Sequence, residues 1–447
     1  MSLQANERAN ERANERANKR ANELDAWQAA RLLQNRELRA VDLMRACLDR
    51  VALREDDVHA FAHRVSPDEL LAQARALDAG AWRGPLHGLP LGVKDLLDTA
   101  AMPTTYGSPV YAGHQPGADA AAVALCREAG ALLPGKTVST EFAYFHPGPT
   151  RNPAGPMDAP HTPGGSSSGS AAAVADFMLP LALGTQTAGS VIRPAAYCGI
   201  VGYKPTLGRV PRAGIKSLSE TLDTVGAFGR SVRDVALLAS VLTGDRRLLA
   251  DFDGRAPRIG LAGTPDWPSA DGDVHAAWAH AQQALSPHAA AWADAPWPAD
   301  LPDLVALQKR VMTHEMARAL SHERVQHRDR LSEKLRALLD EGMAISGEAH
   351  AADIAQTDVA RQRADRWFDD FDVLLAPSTT GVAPAGIAAT GDPLFCRGWT
   401  LLGLPCIHLP FARGRHGLPV GLQLVGRAGD DHRLLAAADW CLQRLTR

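Results

Sequence analysis

Short apolar runs alternate with helix-period segments along most of this chain, and that alternation limits what it can fold into. "LPLGV" before Lys94, "PLALG" at 180–184, "RIGLAG" at 258–263 and "DVLLAPS" at 372–378 each read as a buried strand. Helical spacing of apolar residues fills "AWQAARLL", "AVDLMRACLDRVA" and "DELLAQARALDA" between Leu24 and Leu77, and continues over 117–129. Ser66-Pro67-Asp68-Glu69 has the order of a helix start, with an N-cap, a proline at the first position and acids in the first turn. A further strand is expected near "ALLP" at 131–134, followed by loops to Pro163. Strands that are apolar throughout, separated by helices, predict an α/β fold whose sheet is covered on both faces.

Two regions depart from the alternation. "ANERANERANERANKRANEL" repeats every four residues and has no large apolar face, so residues 1–22 are expected to form a solvated tail before a domain over 23–447. The Ala-, His- and Asp-rich stretch 245–345 reads as a peripheral helical portion, or lid.

Composition removes several function classes. The formal charge of −3 over 447 residues provides no broad basic surface for nucleic acid. Six scattered cysteines form no CxxC pair, which argues against a zinc site or a disulfide framework and for reduced thiols in a cytoplasmic enzyme. A charged N-terminus without an apolar core carries no secretory signal. No apolar run reaches the roughly 18 residues of a membrane span.

Three motifs compete for the chemistry. "GALLPGKT", Gly130–Thr137, satisfies the phosphate-loop pattern, but a helix precedes it, a strand lies within it, and Pro134 removes a backbone donor from its centre. "GSSSG", Gly165–Gly169, satisfies G-x-S-x-G with Ser167 as nucleophile, yet a proline-rich loop stands where that elbow needs a strand. The third is "LALGTQTAGSVIRPAAYCGIVGYKPT", where a buried strand feeds a loop of small residues ending in Gly189-Ser190. Such a loop lets backbone N–H groups converge as an oxyanion hole. A serine there still needs a base. The nearest upstream histidine is His161, in a proline-rich loop; Lys94, at the end of an apolar strand, is the other candidate. Burial lowers a lysine pKa from about 10.4 toward working pH. The alternative for Lys94 is a structural ion pair with Asp95.

"GPLHGLPLGVKDLLDT", "TPGGSSSGSAAAVA", the Gly189-Ser190 segment and "GLPVGLQLVG", in this order, resemble the amidase signature family from about residue 24 to the C-terminus. The resemblance implies an α/β/α domain around a large mixed sheet, with no metal and no cofactor. It implies a triad of Lys94 as base, Ser166 as bridging serine after a cis Gly165–Ser166 peptide, and Ser190 as nucleophile. The N–H groups of Thr187, Ala188, Gly189 and Ser190 are then the oxyanion hole.

Many members of that family read "GTDTGGS" where this chain has "GTQTAGS", which weakens assignment to the amidotransferase subunit that works with partner subunits. The wording is similar to bacterial malonamidases and other small-amide hydrolases, in which the arginine at the Arg193 position binds a substrate carboxylate. The expectation is a small-molecule amide substrate, preferably carboxylate-bearing (malonamate-like amides or N-carboxylated ureas), with no nucleic-acid or membrane partner; a homodimer is compatible with it. Arg193, Gln186 and Ser167 are the expected substrate contacts, with Arg193 as a loop anchor the alternative. Trp399 and Thr400 are expected in the pocket wall or the core, Thr185 and Asp223 as supports of the loop.

Overall fold

In the computed structural model, which describes residues 21–249, 252 and 254–446, the alternation becomes one mixed sheet. Its strands in chain order are β1 (Phe61–Arg64), β2 (Leu91–Lys94), β3 (Gly135–Thr137), β4 (Leu181–Gln186), β5 (Val201–Lys204), β6 (Thr224–Gly229), β7 (Arg258–Leu261), β8 (Ala291–Asp294), β9 (Val373–Pro377), β10 (Cys406–Arg413) and β11 (Pro419–Gly426). Across the sheet the order is β1-β3-β2-β4-β6-β5-β10-β11-β9-β7-β8. β2 runs parallel to β3 and β4, and β7 parallel to β8 and β9; the remaining pairs are antiparallel.

β2, β4, β5, β6, β9 and β11 are buried along their whole length, because apolar groups cover both faces. The period of two then splits β9 and β11 between two cores. In β9, Val373 and Leu375 join the core formed with helices Val232–Thr243, Gly272–Leu285 and Asp431–Leu445. Leu374 and Ala376 join the other, formed with helices Leu304–Ala319, Glu333–Ala344 and Leu394–Leu401. Ser66 caps its helix as read from sequence, its hydroxyl accepting the Glu69 N–H at 3.3 Å with Pro67 at the first position.

Four expectations change. The strand placed near "ALLP" begins after it, at Gly135; Leu132 makes only an isolated bridge to Pro90, and Pro134 has no N–H to extend the ladder backwards. β1, an edge strand pairing with β3, was not anticipated, because "FAHR" is short and half-exposed. The stretch 245–345 is not a lid. It supplies β7 and β8 to the sheet, while Leu307, Val311 and Met316 of its main helix enter the second core. Residues 1–20 of the expected tail lie outside the described residues, but Ala21 and Asn22 belong to the fold. Both are buried, and Asn22 Nδ2 donates to the Phe177 carbonyl at 3.0 Å.

All six cysteines are buried thiols. Among the described residues, no helix is long and apolar enough to cross a membrane.

Candidate active site

β2 delivers Lys94 into the interior, where its side chain is fully buried. Nζ lies 2.7 Å from Ser166 Oγ and 2.7 Å from Thr185 Oγ1. Asp95 is not its partner: that carboxylate accepts the Thr105 N–H and hydroxyl, and sits 3.8 Å from Lys136 Nζ. Burial pushes the Lys94 ammonium down to about 7, against a smaller upward pull from Asp223. A buried amine with two hydroxyl neighbours and no carboxylate in contact is therefore poised to be neutral near pH 7.

Ser166 follows a cis Gly165–Ser166 peptide bond, on the loop that leads into helix Ser168–Ala175. Gly164 has φ 79°, and a Cβ there would lie 2.8 Å from Pro194 Cα, so only glycine lets this loop approach the start of helix Ile192–Cys198. Arg193 ties the two together, donating from Nη2 to the Gly165 carbonyl at 2.6 Å and from Nε at 3.3 Å. Its Nη1 donates to the Gly391 carbonyl.

Ser190 stands at the end of the loop that connects β4 to helix Ile192–Cys198. It lines a small, narrow cavity with Thr187, Ala188, Arg193, Tyr144, Phe145 and Met312. No hydrogen bond joins Ser190 to Ser166 among the described residues, so the structure links Lys94 with Ser166 directly and leaves the second step of a relay open. The N–H groups of Thr187, Ala188, Gly189 and Ser190 are also uncommitted within the described residues. Four neighbouring backbone donors beside a serine are what a developing oxyanion requires.

Arg193 forms the anchor that was the alternative to substrate binding, and it also reaches the cavity. No described carboxylate pairs with it, and burial lowers its pKa to about 10. Gln186 and Ser167 are corrections. Gln186 is fully buried: its Oε1 accepts the N–H groups of Val191 and Ile192 at 2.9 and 3.1 Å, and Nε2 donates to Thr400 Oγ1 at 2.9 Å. The second Nε2 hydrogen is enclosed with the rest of the side chain, and Gln186 is not among the residues lining the Ser190 cavity. Ser167 is also fully buried, its hydroxyl engaged with the Thr185 carbonyl at 3.3 Å and N–H at 3.4 Å.

Asp223 supports the loop as expected, accepting the Thr187 hydroxyl at 2.6 Å and the Leu218 and Ser219 N–H groups at 2.8 and 3.0 Å. Trp399 packs among Trp297 and Trp367 in the core, and the His161 ring bonds the Ala159 carbonyl at 3.0 Å, not a serine. Sequence reasoning missed the cavity walls. Tyr144 and Phe145 follow Phe142 and Ala143, which hold left-handed φ values of 43° and 50°. Met312 and Met316 come from a helix placed outside the site. Helical spacing of those methionines carried no sign of which cavity they face. Lys136 closes the phosphate-loop question: fully buried in β3, it donates to the Leu97 carbonyl at 2.5 Å and to Thr104 Oγ1 at 2.7 Å, leaving no cradle.

A family model described as amidase matches residues 42–435. A glutamyl-tRNA(Gln) amidotransferase subunit from Oleidesulfovibrio alaskensis is 33% identical over 473 residues, covering 94% of this chain and 97% of that one. A crystal structure of an amidase superposes with a TM-score of 0.85 at 31% identity, covering 94% and 100% of the two chains. The peptide amidase from Stenotrophomonas maltophilia gives 0.81 at 29% identity, covering 94% and 97%. Sheet, buried lysine and these likenesses together define an enzyme that hydrolyses amide bonds. The chain belongs to the amidase family.

Proposed function

We propose that the protein cleaves a small carboxamide to a carboxylate and ammonia through an acyl-enzyme on Ser190. The observation that carries this reading is the 2.7 Å contact between the buried Lys94 amine and Ser166 Oγ. Neutral Lys94 takes the Ser166 proton while Ser166 takes that of Ser190, whose oxygen attacks the amide carbon. N–H groups of the Thr187–Ser190 segment receive the negative charge on the carbonyl oxygen. The relay then returns a proton to the departing nitrogen, and water releases the acid by the reverse route.

Arg193 supports a preference for substrates carrying a carboxylate. It is a buried cation on the wall of the Ser190 cavity, with N–H groups beyond those held by Gly165 and Gly391. A guanidinium so placed fixes the distance from carboxylate to nucleophile. Ammonia release across a panel of small amides, each paired with an uncharged analogue, tests both parts. The reading expects turnover of the panel and a higher kcat/KM for carboxylated members; equal values within every pair remove the Arg193 role, and no turnover by any member removes the small-amide assignment.

A second reading is favoured by the 33% identity to an amidotransferase subunit over 94% of this chain. On that reading the chain hydrolyses glutamine and passes ammonia to partner subunits. Co-purification with such partners and glutamine-dependent ammonia release distinguish it.

A further inference from the structure

Three consecutive carbonyls of the Ser190 loop are each held from behind by a hydrogen-bond donor. Gln308 Nε2 donates to the Thr187 carbonyl at 2.9 Å, Thr400 Oγ1 to the Ala188 carbonyl at 2.7 Å, and the Arg193 N–H to the Gly189 carbonyl at 2.9 Å. In a trans peptide the C=O and the following N–H point in opposite directions. Holding these carbonyls therefore turns the N–H groups of Ala188, Gly189 and Ser190 the other way, and no described residue accepts a bond from them.

The holders are themselves fixed in sense. Arg397 Nη1 donates to Gln308 Oε1 at 2.5 Å; because a guanidinium can only donate, the Gln308 oxygen must face it and the amide N–H must face Thr187. The charge on Arg397 also polarises that amide and strengthens its donation. Gln308 is fully buried and Arg397 nearly so, with no described carboxylate in contact with either. Thr400 accepts from Gln186 Nε2 at 2.9 Å, so its own proton goes outward to a carbonyl, Ala188 at 2.7 Å or Cys396 at 2.9 Å. Behind the loop, a Cβ on Gly189 would lie 2.7 Å from Pro393 Cβ and 3.1 Å from Cys396 Cβ, so the backbone rests directly on the helix that carries Arg397 and Thr400.

We infer that Gln308, oriented by Arg397, is a positioning residue that sets the Thr187–Ala188 peptide plane and so aims the Ala188 N–H of the oxyanion hole. This rests on Ser190 being the nucleophile. Gln308 touches neither substrate nor the reacting atoms, and its effect belongs to the transition state: it orients a dipole toward charge that exists only after attack.

The test compares wild type, Gln308→Leu, Gln308→Glu and Arg397→Met for amide turnover and for inhibition by a small alkylboronic acid. The boronic acid forms a bond from Ser190 Oγ to boron, the serine proton passes to the relay, and a tetrahedral anion occupies the oxyanion site. Gln308→Leu is expected to lower kcat by roughly 10–10²-fold, less than the roughly 10²–10³-fold of removing an oxyanion donor outright, and to change KM by less than about threefold. Boronic-acid affinity falls by a similar factor. Gln308→Glu keeps the Arg397 contact but presents no N–H to Thr187, so it gives the same loss should the leucine variant fail to fold. Arg397→Met shifts both quantities in the same direction by less. Folded Gln308 variants with wild-type kcat, or with reduced kcat and unchanged boronic-acid affinity, overturn the inference. Ser190→Ala in the same assays separates the two claims: it abolishes turnover and the adduct if the nucleophile is right, and an active Ser190→Ala enzyme removes the reading beneath.

Discussion

Lys94 and Lys136 lie on adjacent strands, offset by one residue in register, and their amines meet opposite surroundings. Val93 pairs with Lys136 and Lys94 with Thr137, so the two side chains leave opposite faces of the sheet. One amine meets the Ser166 and Thr185 hydroxyls; the other meets the Leu97 carbonyl, two threonines and, at 3.8 Å, Asp95. Burial dominates both, lowering Lys94 to about 7 and Lys136 to about 8. Only the first is bonded to a serine hydroxyl.

In the proposed relay the neutral amine is the working form, so activity should have an acid limb set by Lys94. kcat/KM for an uncharged amide is expected to rise with pH through about 7 and level off above it. Below that value it falls tenfold per pH unit. A flat profile from pH 5 to 9 contradicts a lysine base.

Stability carries the same signature with a definite sign. The folded Lys94 loses its proton at about 7, whereas the unfolded side chain keeps it to 10.5. Between those values the unfolded state binds more protons, so stability attributable to this residue increases as pH rises through the window. Lys94→Met removes that dependence. Its Tm relative to wild type should be highest near pH 6 and decline toward pH 10; a difference independent of pH would show that the amine is not desolvated as described.

Lys136, the lysine of the phosphate-loop pattern, should prove structural. Lys136→Met leaves the Leu97 carbonyl and the Thr104 hydroxyl without their partner, a loss of about 1–3 kcal/mol for each. Denaturant unfolding should show that loss while kcat/KM of the folded enzyme stays within about threefold. A stable variant with turnover reduced a hundredfold would assign Lys136 a part in the chemistry.

Ser167 and Gln186 are expected to act on the fold and not on substrate affinity. Ser167→Ala removes one neutral hydrogen-bond pair with the Thr185 backbone and should cost about 1 kcal/mol, with KM unchanged. Gln186→Leu strands the Val191 and Ile192 N–H groups and should cost more, with kcat falling as the Ser190 loop loosens. A rise in KM alone, in either variant, would restore them as substrate contacts.

What the sequence made legible was whatever depends on local pattern. "LPLGV" and "PLALG" showed β2 and β4, and the small residues of "TQTAGS" showed a loop able to gather N–H groups. The "FAHR" edge strand stayed hidden because four half-exposed residues carry no periodic signal. Gln308 and Arg397 stayed hidden for a different reason: they are polar residues on helices, separated from Thr187 by long stretches of chain, and only the packing of two helices behind the loop brings them there. Gln186 was misassigned because sequence places it beside the nucleophile but cannot show that its amide is turned inward to Thr400.

The central claim is that the Lys94 amine, acting through Ser166, activates Ser190. It is tested most directly by following single-turnover acylation with an activated ester by intact-protein mass spectrometry, in wild type, Lys94→Ala, Ser166→Ala and Ser190→Ala. Wild type should gain one acyl group that maps to Ser190, with acylation slowed on the order of 10³-fold or more in the first two variants and absent in the third. Acylation of Lys94→Ala at the wild-type rate, or an acyl group mapped to another serine, would contradict it.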